Sequence, residues 1–193
     1  MNILRSLILT GGILAGLLGC HGSPSPPPGD ATTTDAMLQA AEQGDLQTLD
    51  QLLVRHRRSD VRDSCDWTPL MKAALNGHRA VVERLLAAGA AVDAVDKGGY
   101  TSMMLAASNN HAEVVELLLQ RGAMIDHQEG TEGWTALIWA AKQGHRDTVA
   151  TLLRHQADRT LRDFAGKTAA DWARETGHTE VLQLLQQDTA AQP

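Results

Sequence analysis

From residue 35 onward, short apolar blocks alternate with polar breaks at a nearly fixed interval. TPLMKAALNGHRAVVERLLAAGA from Thr68 lies in register with TSMMLAASNNHAEVVELLLQRGA from Thr101, TALIWAAKQGHRDTVATLLRHQA from Thr135 and TAADWARETGHTEVLQLLQ from Thr168. A more divergent copy, DAMLQAAEQGDLQTLDQLLVRH, starts at Asp35. The five starts are 33, 33, 34 and 33 residues apart. A period of that length with one insertion is the mark of a repeat array.

Each copy predicts two short helices. Leu70, Ala73 and Ala74 stand at i, i+3 and i+4 and define a buried stripe, leaving Lys72, Leu75 and Asn76 on the opposite one. Thr68, Thr101, Thr135 and Thr168 are placed to N-cap the first helix, with Asp35 in that role in the first copy. Pro69 suits the first helical position, where a missing N–H costs nothing. The column Gly44, Gly77, Asn110, Gly144 and Gly177 ends that helix, since Gly and Asn tolerate the left-handed backbone. A second helix follows with spacing such as Val81, Val82, Leu85 and Leu86. Helices of roughly eight to ten residues are marginal alone, so stability must come from stacking neighbours into a solenoid.

These residues resemble the ankyrin repeat, whose pattern is D-x-x-G-x-T-P-L-H-x-A-A-x-x-G-H followed by V-V-x-L-L-L-x-x-G-A. Only Thr68-Pro69-Leu70 keeps the Thr-Pro-Leu run, and Met71, Met104, Ile138 and Asp171 stand where the family has His. Ala73-Ala74, Ala106-Ala107 and Ala140-Ala141 keep the small pair. The resemblance implies an all-α solenoid of five stacked helix-turn-helix units with short β-hairpin fingers. The first and last units are expected to be caps. The last is polar at Asp171, Arg174 and Glu175.

The first residues are of another kind. After Arg5, an apolar stretch runs from Ser6 to Gly19; as a helix it would span about 21 Å, short of the roughly 30 Å hydrocarbon core. It reads as a cleaved signal. Its end, Leu17-Leu18-Gly19-Cys20, resembles a bacterial lipobox. That resemblance implies lipidation at Cys20 and, with His21 rather than Asp after it, export to the outer membrane, facing the periplasm. The domains expected are a signal over 1–19, a lipidated Cys and Pro/Gly/Ser-rich tether over 20–34, the repeats over 35–187 and a polar tail over 188–193. The repeat units start near 35, 68, 101, 135 and 168.

Composition narrows the partners. The net charge of -6, with no basic stripe, argues against nucleic acid. The membrane is expected to be touched only through the lipid anchor, and a periplasmic protein is the expected partner. By resemblance to the family, that partner binds the concave band and the finger tips. The band consists of Lys72, Leu75 and Asn76, then Leu105, Ser108 and Asn109, then Trp139, Lys142 and Gln143, then Trp172 with Glu175 and Thr176. The finger column is Trp67, Lys97, Tyr100, Trp134 and Phe164. Its rings either meet the partner as hot spots or pack between adjacent fingers. Finger MIDHQEGTEGW holds the extra residue and gathers Asp126, Glu129 and Glu132, either an acidic contact or a solvated loop.

Candidate chemistry is thin. His78, His111, His145 and His178 recur once per repeat. Units about 10 Å apart cannot share an ion whose Zn–N bonds are about 2.0–2.1 Å, so neither a metal nor another cofactor is expected. Asp63, Asp96 and Asp163 suit turns. Cys65 lies beside Asp63 and Asp66, which raise a thiol pKa. No GxSxG or HExxH motif is present, and no enzymatic activity is expected. Two functions fit an anchored binding surface. One is an immunity-type inhibitor of a toxic envelope-targeting enzyme, acting through a rigid, acidic concave face. The alternative is a stress-protective accessory factor for a periplasmic enzyme such as a catalase.

Overall fold

Apolar residues three and four positions apart commit each block to a helix, and a capping side chain fixes where each first helix begins. The computed structural model describes residues 31–56 and 59–187. Among them it has α1 (Ala31–Gln43), α2 (Leu46–His56), α3 (Pro69–Leu75), α4 (Arg79–Ala87), α5 (Ser102–Ser108), α6 (Ala112–Gln120), α7 (Ala136–Gln143), α8 (Arg146–Arg154), α9 (Ala169–Glu175) and α10 (Thr179–Gln186). Each odd helix packs on the even helix after it, and each also packs on its counterparts in the neighbouring pairs. The result is two layers. The core between them includes Leu49, Leu70, Leu85, Met103, Leu118, Leu137 and Leu152, all fully buried. The Ala73-Ala74, Ala106-Ala107 and Ala140-Ala141 pairs are also fully buried and let the odd helices approach closely. None of the described helices is long and apolar enough to cross a membrane.

The caps act as the residues predict from the second pair onward. Thr68, Thr101, Thr135 and Thr168 accept through Oγ1 from the backbone N–H of Met71, Met104, Ile138 and Asp171 at 3.2–3.3 Å. The positions where the family carries His are filled in two ways. Met104 and Ile138 are buried as apolar filler, and buried Met71 also accepts the Thr68 N–H through Sδ at 3.4 Å. Asp171 completes a capping box, and the Thr168 N–H and hydroxyl, with Arg174, pull its carboxyl down to about 2. The first pair departs from expectation. Helix α1 begins at Ala31, so Asp35 lies inside it and caps nothing. No Gly or Pro after Gly29 stops the helix from growing back past residue 35.

The expected β-hairpin fingers are turns. Among the described residues there is no strand, only an isolated bridge between Val95 and Thr101. Each finger closes on a bond such as Asp63 N to Trp67 O at 3.1 Å, and three of them hold a tight turn inside it, as from Asp66 N to Asp63 O at 3.0 Å. Adjacent fingers are also joined by backbone bonds. Lys97 N donates to Cys65 O, Gly130 N to Gly98 O, and Phe164 N to Glu132 O.

The histidine column ties the pairs together. Nε2 of His78, His111 and His145 lies 2.9–3.0 Å from the carbonyls of Glu42, Leu75 and Ser108 in the preceding pair. A carbonyl only accepts, so Nε2 carries the proton. The rings of His78, His111 and His178 rest on the helix-ending Gly44, Gly77 and Gly144. At Gly144, whose φ is 76°, an added Cβ would come within 2.5 Å of His178 Nδ1. Gly144→Ala is therefore expected to cost about 1–3 kcal/mol of unfolding free energy, read by denaturant titration.

Burial lowers the pKa of His145 below 6.5, reinforced by His178 and His111 and opposed by its bond to Ser108. The unfolded chain then takes the proton first, so stability holds above 6.5 and falls as pH drops below it. Thermal unfolding from pH 7.5 to about 5 should show that decline. His145→Gln, which keeps a donor for Ser108, should flatten it; an unchanged slope would rule the linkage out.

Candidate protein-binding face

Because the odd helices stack directly, the stripe opposite their buried side forms one face of the molecule. Asn76, Asn109, Gln143, Glu175 and Thr176 are exposed there, and Lys72, Leu75, Lys142 and Trp172 are half-buried. Leu105, Ser108 and Trp139, expected on the same surface, are buried. Their covering comes from neighbouring units. Trp67, Met71 and Leu75 pack with Leu105, and Tyr100 and Trp134 stand edge-on to Trp139 at centroid distances of 6.3 and 4.6 Å. Ser108 turns its hydroxyl back to the Leu105 carbonyl.

For the finger rings, packing prevails. Trp67 and Trp134 are buried, not presented to a partner. Trp134 Nε1 donates to Asp163 Oδ2 at 3.1 Å, and Trp172 Nε1 donates to the same oxygen at 2.7 Å. Tyr100 is half-buried, its hydroxyl 2.9 Å from Thr131 Oγ1. Phe164 is 69% exposed and lies across Gly133, where a Cβ would come within 2.6 Å of its ring. Lys97 and Glu132 are exposed at the finger tips.

Charge is distributed in a way the net value hides. All four lysines, Lys72, Lys97, Lys142 and Lys167, belong to this face or its fingers. The face therefore carries cations among its acids, each with its own local partners. Several of the finger acids are consumed by the turns: Asp63, Asp96 and Asp163 each accept from the backbone N–H two and four residues on, at 2.8–3.0 Å. Lys72 pairs with Glu42 at 3.6 Å and lies 4.9 Å from the Trp67 centroid. Lys167 pairs with Glu175 over Trp172. Lys142 sits between Trp134 and Trp172, at 3.9 and 4.1 Å from their centroids. Burial opposes ionisation of Asp163, yet the Lys167 N–H, the two indoles and the Ala165 N–H together hold its pKa below the usual carboxylate value.

Glu129 is likewise not an acidic contact. It is 1% exposed, and its carboxylate takes the backbone N–H of Thr131, Glu132 and Trp134 and the Thr131 hydroxyl. In three fingers the turn acid lies four residues before the residue whose carbonyl closes the turn; here it lies five before Trp134. One extra methylene in the acid matches one extra residue in the loop. Burial raises its pKa, but these bonds outweigh burial and leave it lowered. Asp126 also has structural work, accepting from Asp158 N at 2.9 Å. Asp60 and Asp93 do the same for Ala91 N and Met124 N. That second aspartate column escaped the sequence reading, although its own 33-residue spacing was visible. Cys20 lies outside the described residues. Cys65 is half-buried, with its N–H donating to Asp63 Oδ1. No three His, Cys, Asp or Glu among the described residues are grouped to hold a metal.

Comparison with known proteins now bears on the fold. A family model described as ankyrin repeats (3 copies) matches residues 37–129 and 123–192. The chain belongs to the ankyrin repeat family. It is also similar to the palmitoyltransferases AKR1 of Candida glabrata and Saccharomyces cerevisiae, each 42% identical over 59 residues. Those matches cover 31% of this chain and 8% of the yeast proteins.

Removing the turn acid of the ankyrin stack's long finger leaves four donors without their acceptor, the Trp134 N–H buried among them. Glu129→Ala should lower unfolding free energy by about 2–4 kcal/mol. Glu129→Asp should recover only part of it, because its shorter arm does not span the five-residue turn. Full recovery by Asp in a chemical denaturation series would refute the length match.

Proposed function

We propose that this protein is a lipid-anchored scaffold of the bacterial envelope, built from five ankyrin units, one per helix pair. It holds a single protein partner on its odd-helix face and is not an enzyme. The observation that carries the reading is the construction of that face. Exposed Asn76, Asn109 and Gln143 stand in a row above interlocked Trp and Tyr rings. Amides fixed in part by their own bonds, Asn76 Nδ2 to the Lys72 carbonyl and Asn109 Nδ2 to the Leu75 carbonyl, suit protein recognition on a rigid aromatic base, because little order is lost on docking. Anchoring follows from the lipobox resemblance at Leu17-Leu18-Gly19-Cys20. Acyl chains contribute about 0.8 kcal/mol per buried CH₂, so a multiply acylated Cys20 holds stably in a membrane. The similarity to the yeast palmitoyltransferases covers repeat sequence alone, and palmitoyl transfer is not carried over from it. Within this reading, the partner is a toxic envelope-targeting enzyme that the rigid face caps and inhibits.

The test pairs localisation with capture. Cys20→Ser should move the protein from the membrane to the soluble periplasmic fraction. Asn76→Arg and Gln143→Arg, at exposed positions, should each release the captured partner while leaving the melting temperature unchanged. If both variants keep every partner, the odd-helix face is not the binding surface. Capture of an oxidant-defence enzyme in place of a toxin would replace inhibition with an accessory role. Trp67→Ala and Trp134→Ala are unsuitable probes, since truncating a buried Trp costs about 3–5 kcal/mol.

A further inference from the structure

We propose that the Lys142 ammonium, clamped between Trp134 and Trp172, anchors a carboxylate from an acidic segment of the bound protein. This rests on the protein-binding reading above and specifies the partner's chemistry. The clamp is the first observation. Rings at 3.9 and 4.1 Å from Nζ hold the side chain on the face, so much of its rotamer freedom is already lost on folding and is not lost again on binding.

The second observation is the missing counter-charge. Lys72 and Lys167 have Glu42 and Glu175. No carboxylate among the described residues lies within 4.0 Å of Lys142 Nζ. The acids that influence it from farther away are Glu132, Asp163 and Glu175. Asp163 is committed to two indoles and the finger backbone, and Glu175 to Lys167. One helical turn before Lys142, Trp139 is 5% exposed and its Nε1 has no acceptor.

Burial opposes the charged form of Lys142 and lowers its pKa. An arriving anion would compensate the half-desolvated cation, and a charge-assisted bond in such a site is stronger than one in open water. A protein carboxylate fits better than a phosphate backbone, because Lys142 is a single cation with no basic stripe beside it to follow successive phosphates. Exposed Gln143, next to Lys142 in the chain, brings an amide able to bond a peptide main chain.

The experiment titrates the full chain, in detergent at low salt, with an octaglutamate peptide, following tryptophan fluorescence and heat. Octalysine and octathymidylate serve as controls. Saturable octaglutamate binding is expected, about tenfold weaker in Lys142→Met and retained in Lys142→Arg. Arg146→Gln, which removes one charge from the even-helix side, should leave it unchanged. Gln143→Glu, at an exposed site that poses no folding risk, sets a competing carboxylate beside Lys142 and should weaken binding about threefold or more.

The proposal is overturned by equal binding to Lys142→Met, by no effect of Gln143→Glu, or by equal loss in Arg146→Gln. Binding of octathymidylate without octaglutamate overturns it as well. If partner capture is lost in Asn76→Arg yet octaglutamate does not bind, the face is a binding surface and the acidic anchor alone fails.

Discussion

The bond from a histidine ring to a carbonyl in the previous helix pair sets the terms for everything else in this molecule. His78 reaches Glu42, His111 reaches Leu75 and His145 reaches Ser108, each across roughly one repeat. The helices they join are 7 to 13 residues long and bury their apolar sides only against neighbours. Such helices do not persist in isolation. The register between pairs must therefore be kept to the residue, because a slip would part each ring from its carbonyl and each loop aspartate from its N–H. The one added residue, in the third finger, is absorbed where a longer acid can follow it, at Glu129. The layers below are undisturbed.

Keeping that register buries the aromatic residues. Tyr100, Trp134, Trp139 and Trp172 meet edge-on across the third to fifth pairs. Edge-on contacts of this kind contribute about 0.5–1.5 kcal/mol beyond burial, and Asp163 fixes two of the indoles at once. Rings that bind the stack to itself cannot also be free hot spots. What they supply to recognition is indirect: a stiff floor that holds Lys142 and the amide row in place.

Much of this was legible in the chain. The threonine caps, the glycine and asparagine helix ends and the histidine column follow from local chemistry repeated at one spacing. Asn110 adopts a φ of 60° as that column demands. The start of α1 was not legible, because an end unit has no neighbour to decide where its helix stops growing. The fate of Trp67, Leu105 and Trp139 was hidden for a related reason. Whether a ring is covered depends on residues a full repeat away, not on its own neighbours. The placement of all four lysines on the odd-helix face and its fingers was hidden by summation, because a net charge does not say where its charges lie.

That redistribution has a pattern. Four arginines on the even helices or at their ends tie successive even helices together. Arg84 meets Asp50, Arg121 meets Glu83, Arg154 meets Glu116 and Arg146 meets Glu180, at 2.5 to 3.7 Å. Lysines occupy the opposite side. A planar guanidinium suits a fixed bridge between two rigid elements, whereas an ammonium is a compact point charge on a long, adjustable stem. Each exposed bridge is modest, about 0.2–1 kcal/mol, but one spans every junction, from α2–α4 through α8–α10. The even-helix side thus spends its charge on holding the stack. On the other side, Lys142 is held by rings instead of a carboxylate, and its charge stays available to something outside the chain.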